Sequence, residues 1–168
     1  MWKFTGKERP SFAEEPGPGK ESVWDYPRPP DVVADARRVE VRAGDLLIAN
    51  TTQAQRLRET ASPPAWYLPT SDVAMNRLVD APDRSFCEWK GVARYLALET
   101  GGEAIAWTYD DPGARYAMLK DHVAFYPGRI ECYVDGERVR AQPGGFYGGW
   151  ITADIVGPYK GDPGTGHW

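Results

Sequence analysis

The 168-residue chain has 42% hydrophobic and 26% charged side chains, a net charge of −4 and a pI near 5.2. That balance excludes a disordered chain and gives a phosphate-backbone partner no global electrostatic support. Two cysteines and two histidines without paired metal-ligand spacing are too few for a disulfide scaffold or a structural zinc, so no metal and no cofactor is expected. The first residues, "MWKFTGKERPSF", lack the apolar core of a signal peptide, and no apolar run reaches membrane length. A soluble cytoplasmic protein with no nucleic-acid and no membrane partner is the expectation.

Residues 1–30 hold six of the fifteen prolines, which oppose both helix and central strand and predict an extended lead-in. Within it, Trp24 and Tyr26 of "SVWDYPRPP" are expected to pin the arm onto the domain. From Arg37, "RRVEVRAGDLLIAN" alternates Val39 and Val41 against charges, breaks at Ala43-Gly44-Asp45 and resumes at Leu46, the pattern of a hairpin. "QAQRLRETASPPAWYLP" allows at most a short helix before Pro63-Pro64. "SDVAMNRLVDAP" reads as a second short helix with Ser71 as its N-cap.

Gly101-Gly102 splits "YLALETGGEAIAWTYDD" into a second hairpin. "DPGARYAMLKDHV" predicts a helix with Tyr116, Leu119 and Val123 on roughly one face. Asp135-Gly136 in "GRIECYVDGERVRAQ" marks a third hairpin, and beyond Ala141 the chain holds eight of its eighteen glycines. The expected organisation is an extended lead-in over 1–21, one mainly β (α+β) antiparallel domain with two or three short helices over 22–143, and a Gly-rich tail over 144–168 packing on the domain.

Taken in order, "SVWDYPRPP", "PPAWYLPTSDV", "CEWKGVARY", "AWTYDDP", "VAFYPGRIECYVDGE" and "GFYGGWITADIVGPYKG" resemble the bacterial and fungal family known as domain of unknown function 427, from about Ser22 to Trp168. The resemblance implies a compact antiparallel fold of the β-tent type, the group that includes methionine sulfoxide reductase B and the thalidomide-binding domain of cereblon. It further implies a ligand-sized cleft between two sheets, and a zinc ribbon absent because the chain has no paired C-x-x-C. The nucleotidyltransferase-like label that the family also carries finds no G-S followed by a D-x-D carboxylate pair in this chain.

The reactive-looking residues cluster in "SFCEWKGVARYL". If Phe86 to Lys90 is a strand, alternation puts Cys87 and Trp89 on one face and Glu88 and Lys90 on the other. Thiol and amine then point apart unless a bulge at Gly91 intervenes. Cys87 reads either as a small buried hydrophobe or as a reactive thiol. Lys90 reads as a ligand contact, a desolvated amine or a lysine snorkelling along aromatic surface. Asp72 either caps the helix at "TSDV" or orients a ligand.

The leading expectation is an uncharacterised small-molecule-binding domain whose cleft is walled by Trp66, Tyr67, Trp107 and Tyr109, with Lys90 and Asp72 as its polar groups. An alternative is an enzyme with Cys87 as nucleophile or Lys90 as amine, and Asp72, Glu88 or His122 handling protons in group-transfer or thiol chemistry. A third is a protein-interaction module or homodimer presenting aromatics and the Gly-rich tail.

Overall fold

The computed structural model describes residues 1–168 and contains fifteen short strands. In chain order they are β1 (Glu21–Ser22), β2 (Asp31–Asp35), β3 (Val39–Ala43), β4 (Leu46–Thr51), β5 (Ala54–Arg58), β6 (Ala65–Pro69), β7 (Leu78–Cys87) and β8 (Gly91–Leu98). They continue with β9 (Ala104–Thr108), β10 (His122–Phe125), β11 (Glu131–Val134), β12 (Glu137–Arg138), β13 (Arg140–Ala141), β14 (Trp150–Ile151) and β15 (Ile155–Val156). The helical content is four 3-10 turns, Val23–Asp25, Thr70–Asp72, Met75–Arg77 and Ala114–Leu119. No helix is long and apolar enough to cross a membrane.

Seven strands form one antiparallel sheet in the order β2-β5-β6-β10-β9-β8-β7, and a four-stranded sheet, β12-β11-β3-β4, packs against it. The three expected hairpins form at Gly44-Asp45, at Gly101-Gly102 and at Asp135-Gly136. In the last, both turn residues take positive φ, +48° and +81°, which matches the right-handed twist of the flanking strands.

The expected helices give way to strands and single turns. Gln55 to Leu57 of β5 pair with Val32 to Ala34 on one side and with Ala65 to Tyr67 on the other, so both neighbours claim the backbone that a helix would have used. Pairing across the sheet overrides the helix propensity of Gln, Arg and Leu here. Ser71 lies inside a 3-10 turn and caps nothing. The backbone beyond it is taken up by β4, through Ala74 N–H to Ile48 O at 2.7 Å and a bridge between Val73 and Ala49. The third helix is a 3-10 turn bent at Tyr116, after which Asp121 at φ +58° leads into β10. Tyr116, Leu119 and Val123 are all buried, but Val123 lies on the opposite side of the large sheet from the other two.

Period-two alternation divides the central strands between two environments. Trp66 and Leu68 of β6, Val123 and Phe125 of β10 and Leu96 of β8 face the small sheet. There they meet Val39, Val41, Ile48 and Cys132. Trp150 of β14 completes this core by stacking on Trp66, with centroids 5.6 Å apart and planes 19° apart. Tyr67, Ala124, Trp107 and Tyr116 belong to the outer face.

The two chain ends close on each other. Trp24 is fully buried, donates its indole N–H to Pro158 O at 3.1 Å and is flanked edge-on by Phe4, Phe12 and Trp168. β1 pairs in parallel with β15 beside it. Below this cluster Arg56, itself buried, holds Glu21 through both terminal nitrogens at 3.0 and 3.1 Å. Its Nε lies 3.1 Å from Asp35 without hydrogen-bond alignment, and Asp35 is gripped in turn by Arg37. Burial works against the ionised carboxylates of Glu21 and Asp35, but their arginine contacts outweigh it and lower both pKa values.

Two outcomes are expected. Trp24→Ala removes the hub of the terminal cluster and costs about 3–5 kcal/mol, a fall in Tm of roughly 10 °C read by calorimetry. A lowered carboxylate pKa contributes stability that is fully present above the unfolded value and is lost as pH falls through the folded one. Glu21→Gln should therefore lower stability at neutral pH and flatten the loss of stability below the ordinary carboxylate range, measured by urea titration across acid pH.

Candidate functional site

One row of outer-face residues sets the site's geometry. Tyr67 on β6 pairs with Ala124 on β10, Ala124 with Trp107 on β9, and Trp107 with Tyr95 on β8. The small Ala124 leaves room for the large rings on either side to meet over it. Trp107 Nε1–H donates to Tyr67 Oη at 3.2 Å, and the two rings meet edge-to-face at 85°. Tyr126 lies against Trp107 at 4.5 Å between centroids.

The hairpin between β7 and β8 adds the polar groups. β7 ends at Cys87, which pairs with Gly91, so Glu88, Trp89 and Lys90 form a turn and not a strand continuation. Gly91 takes φ +91°, a conformation that a side chain would strain. The turn cancels the strand alternation that would separate thiol from amine, and Lys90 Nζ donates to Cys87 Sγ at 3.2 Å. The same ammonium lies 5.4 Å from the Tyr109 ring centroid.

The termini form the cover. Trp2 stacks under the Arg28 guanidinium at 4.1 Å, meets the Lys160 ammonium at 4.5 Å and donates Nε1–H to Glu88 at 3.2 Å. The tail lays Phe146 to Gly149 across the opening. Gly148 is pressed on the Trp107 ring so closely that a Cβ there would overlap it. Gln142 ties this segment down, accepting from Gly149 N–H at 3.0 Å and donating to Lys160 O at 2.7 Å. Floor, turn and cover line a half-open cavity of about 310 Å³, at the small end of the range of ligand sites.

Two buried lysines line it, in opposite electrostatic states. Burial penalises the Lys90 ammonium, but Tyr67, Cys87 and Glu59 around it more than offset this and raise its pKa. At Lys160 burial is reinforced by Arg28 and the pKa is lowered. Glu59 also lines the cavity, with one oxygen accepting from both Arg28 and Trp89. Burial pushes up the phenols of Tyr67, Tyr109 and Tyr126, so these rings present neutral hydroxyls.

Of the residues singled out in the sequence, Tyr67, Cys87, Glu88, Lys90, Trp107 and Tyr109 line this cavity. Trp66 does not: alternation along β6 turns it into the core against Trp150. Asp72 sits in the 3-10 turn after β6, where it accepts from Thr51 Oγ1 at 2.7 Å, outside the cavity lining. His122 bonds the Lys120 carbonyl and Cys132 is buried between the sheets, so neither reaches the site. The space between the sheets, where the family resemblance implies a cleft, is filled by the Trp66 and Trp150 core, and the cavity lies on the far face of the large sheet. Trp2, Glu59, Tyr126, Phe146, Tyr147 and Lys160 were not singled out. Only the aromatic pair between two glycine pairs in "GGFYGG" carries a local signal for such a role.

No group of three or more His, Cys, Asp or Glu side chains is arranged to hold a metal ion. Gly148→Ala is expected to push the tail off Trp107, which hydrogen exchange would detect as lost protection over residues 144–150 with the protection of β9 retained.

No curated protein matches the chain. A family model described as Domain of unknown function (DUF427) matches residues 31–136, from β2 to the turn after β11. With that match spanning the strands and the turn that carry Tyr67, Cys87, Lys90, Trp107 and Tyr109, the chain belongs to the DUF427 family.

Proposed function

We propose that the domain binds a small planar molecule bearing an anionic oxygen, its ring against the aromatic walls and its charge on Lys90. The observation that carries this reading is the state of Lys90. It is 7% exposed, lines the cavity, and makes no ion pair with any carboxylate. An ammonium has three N–H donors, and one goes to Cys87 Sγ. The remaining donors are free for a ligand, and a carboxylate or similar oxyanion in the cavity would form the ion pair that no protein carboxylate makes.

The rings favour a flat ligand body. Tyr67, Trp107 and Tyr109 offer π-faces and edges close together, the surface on which a planar ring packs. The limited volume supports a ligand of one or two rings.

The test is thermal stabilisation by benzoate and 2-naphthoate, with benzamide and 2-naphthamide as neutral isosteres. At about 100 times Kd a ligand stabilises by roughly 2.7 kcal/mol, about 5–10 °C for a chain of this length. The carboxylates should raise Tm, the amides much less, and Lys90→Met should abolish the difference. Equal shifts from acids and amides, or no shift from either, would remove the anionic-ligand reading.

A further inference from the structure

The binding reading leaves one group unused. Cys87 is half-buried at the end of β7, lines the cavity and has its sulfur 3.2 Å from the Lys90 ammonium. Cys132 differs in every respect, being fully buried in the core with burial raising its pKa. Nucleophilic cysteines require access and a cationic neighbour, and Cys87 has both. The second, independent feature is Lys90 itself, a nine-tenths buried cation with donors to spare at the cavity wall.

We propose that Cys87 is a covalent site for planar α,β-unsaturated carbonyl compounds. In the addition, sulfur forms a bond to the β carbon, the carbon–carbon π pair shifts to the bond between the α carbon and the carbonyl carbon, and the carbonyl π pair moves onto the oxygen. The enolate oxygen so formed accepts a hydrogen bond from the Lys90 ammonium. The α carbon then takes a proton, equivalent to the one the thiol gave up, and the carbonyl is restored. The product is a thioether. Nothing leaves and nothing is oxidised or reduced, so no further reactant is required.

The geometry selects this class over other electrophiles. A conjugated carbonyl is flat, as the Tyr67, Trp107 and Tyr109 walls favour, and it develops negative charge on an oxygen within reach of a donor beside the sulfur. An alkyl halide develops no such oxyanion and gains only the general effect of the cation. The inference rests on the same cavity and on Lys90 as its oxyanion donor.

The experiment treats the native protein at neutral pH with N-ethylmaleimide or iodoacetamide and follows Cys87 and Cys132 by peptide mass spectrometry, with glutathione as the free-thiol reference. The rate ratio of maleimide to iodoacetamide at Cys87 should exceed that of glutathione by about tenfold or more, a modest share of what one oxyanion donor contributes. Lys90→Met should bring the ratio back to the glutathione value. Should that variant fail to fold, the wild-type ratio alone decides. A Cys87 ratio equal to that of glutathione, or one unchanged by Lys90→Met, overturns the proposal. If benzoate or 2-naphthoate still stabilises both the wild type and Cys87→Ser while the ratio is ordinary, the covalent site falls and the binding reading stands. A raised ratio without stabilisation by carboxylates keeps the covalent site and sinks the anionic-ligand reading.

Discussion

The site depends on the pairing of Tyr67, Ala124 and Trp107 across three central strands. Antiparallel register puts these three side chains on one line, and alternation puts that line on the face turned away from the core. Because Ala124 is small, the rings on either side join through the Trp107 to Tyr67 hydrogen bond over it. A one-residue slip in any of these strands would send Trp66, Leu68 or Phe125 outward and bring the cavity walls into the core. Core and cavity are thus two consequences of a single register.

The cover follows a different principle. Its parts come from the two ends of the chain, which carry little regular structure and are held by aromatic packing around Trp24 and by the short parallel pairing of β1 with β15. Trp2 sits between a guanidinium and an ammonium, contacts of about 0.5–2 kcal/mol each depending on how far they are desolvated. Many small contacts hold this cover, whereas the strands beneath have continuous ladders and a filled core. Local opening should therefore begin at the cover, the part of the cavity wall with the fewest backbone hydrogen bonds.

The charges sort the same way. Most ion pairs here are exposed arginine–carboxylate contacts such as Arg94 with Asp80 and Asp110, whose net worth is small. Two arginines are structural exceptions: Arg28, buried against Glu59, and Arg56, buried and shared by Glu21 and Asp35 from two other strands, where it joins the lead-in to the edge of the large sheet. Lys90, like Lys160, lines the cavity without an ion pair to a side-chain carboxylate. No carboxylate was placed against it, and its hydrogen-bond partner is a thiol.

Hairpins were legible in the residues because turn chemistry is local: Gly44-Asp45, Gly101-Gly102 and Asp135-Gly136 specify their own backbone angles. Alternation at Val39 and Val41 and the burial of Trp24 and Tyr26 were legible from their own short segments. The strands β5 and β6 were not, since Gln55 to Leu57 extend only because partners from distant segments flank them on both sides. Nor was the proximity of Cys87 and Lys90, where Gly91 turns the chain before alternation can separate them. Which residues could form turns, a core and an aromatic wall was written in the chain, because those preferences belong to single residues and their neighbours. Tertiary structure alone decided that Trp66 faces inward and Tyr67 outward, and that Trp2 and Lys160 cover the same cavity, because face and proximity are set by pairings between segments far apart in the chain.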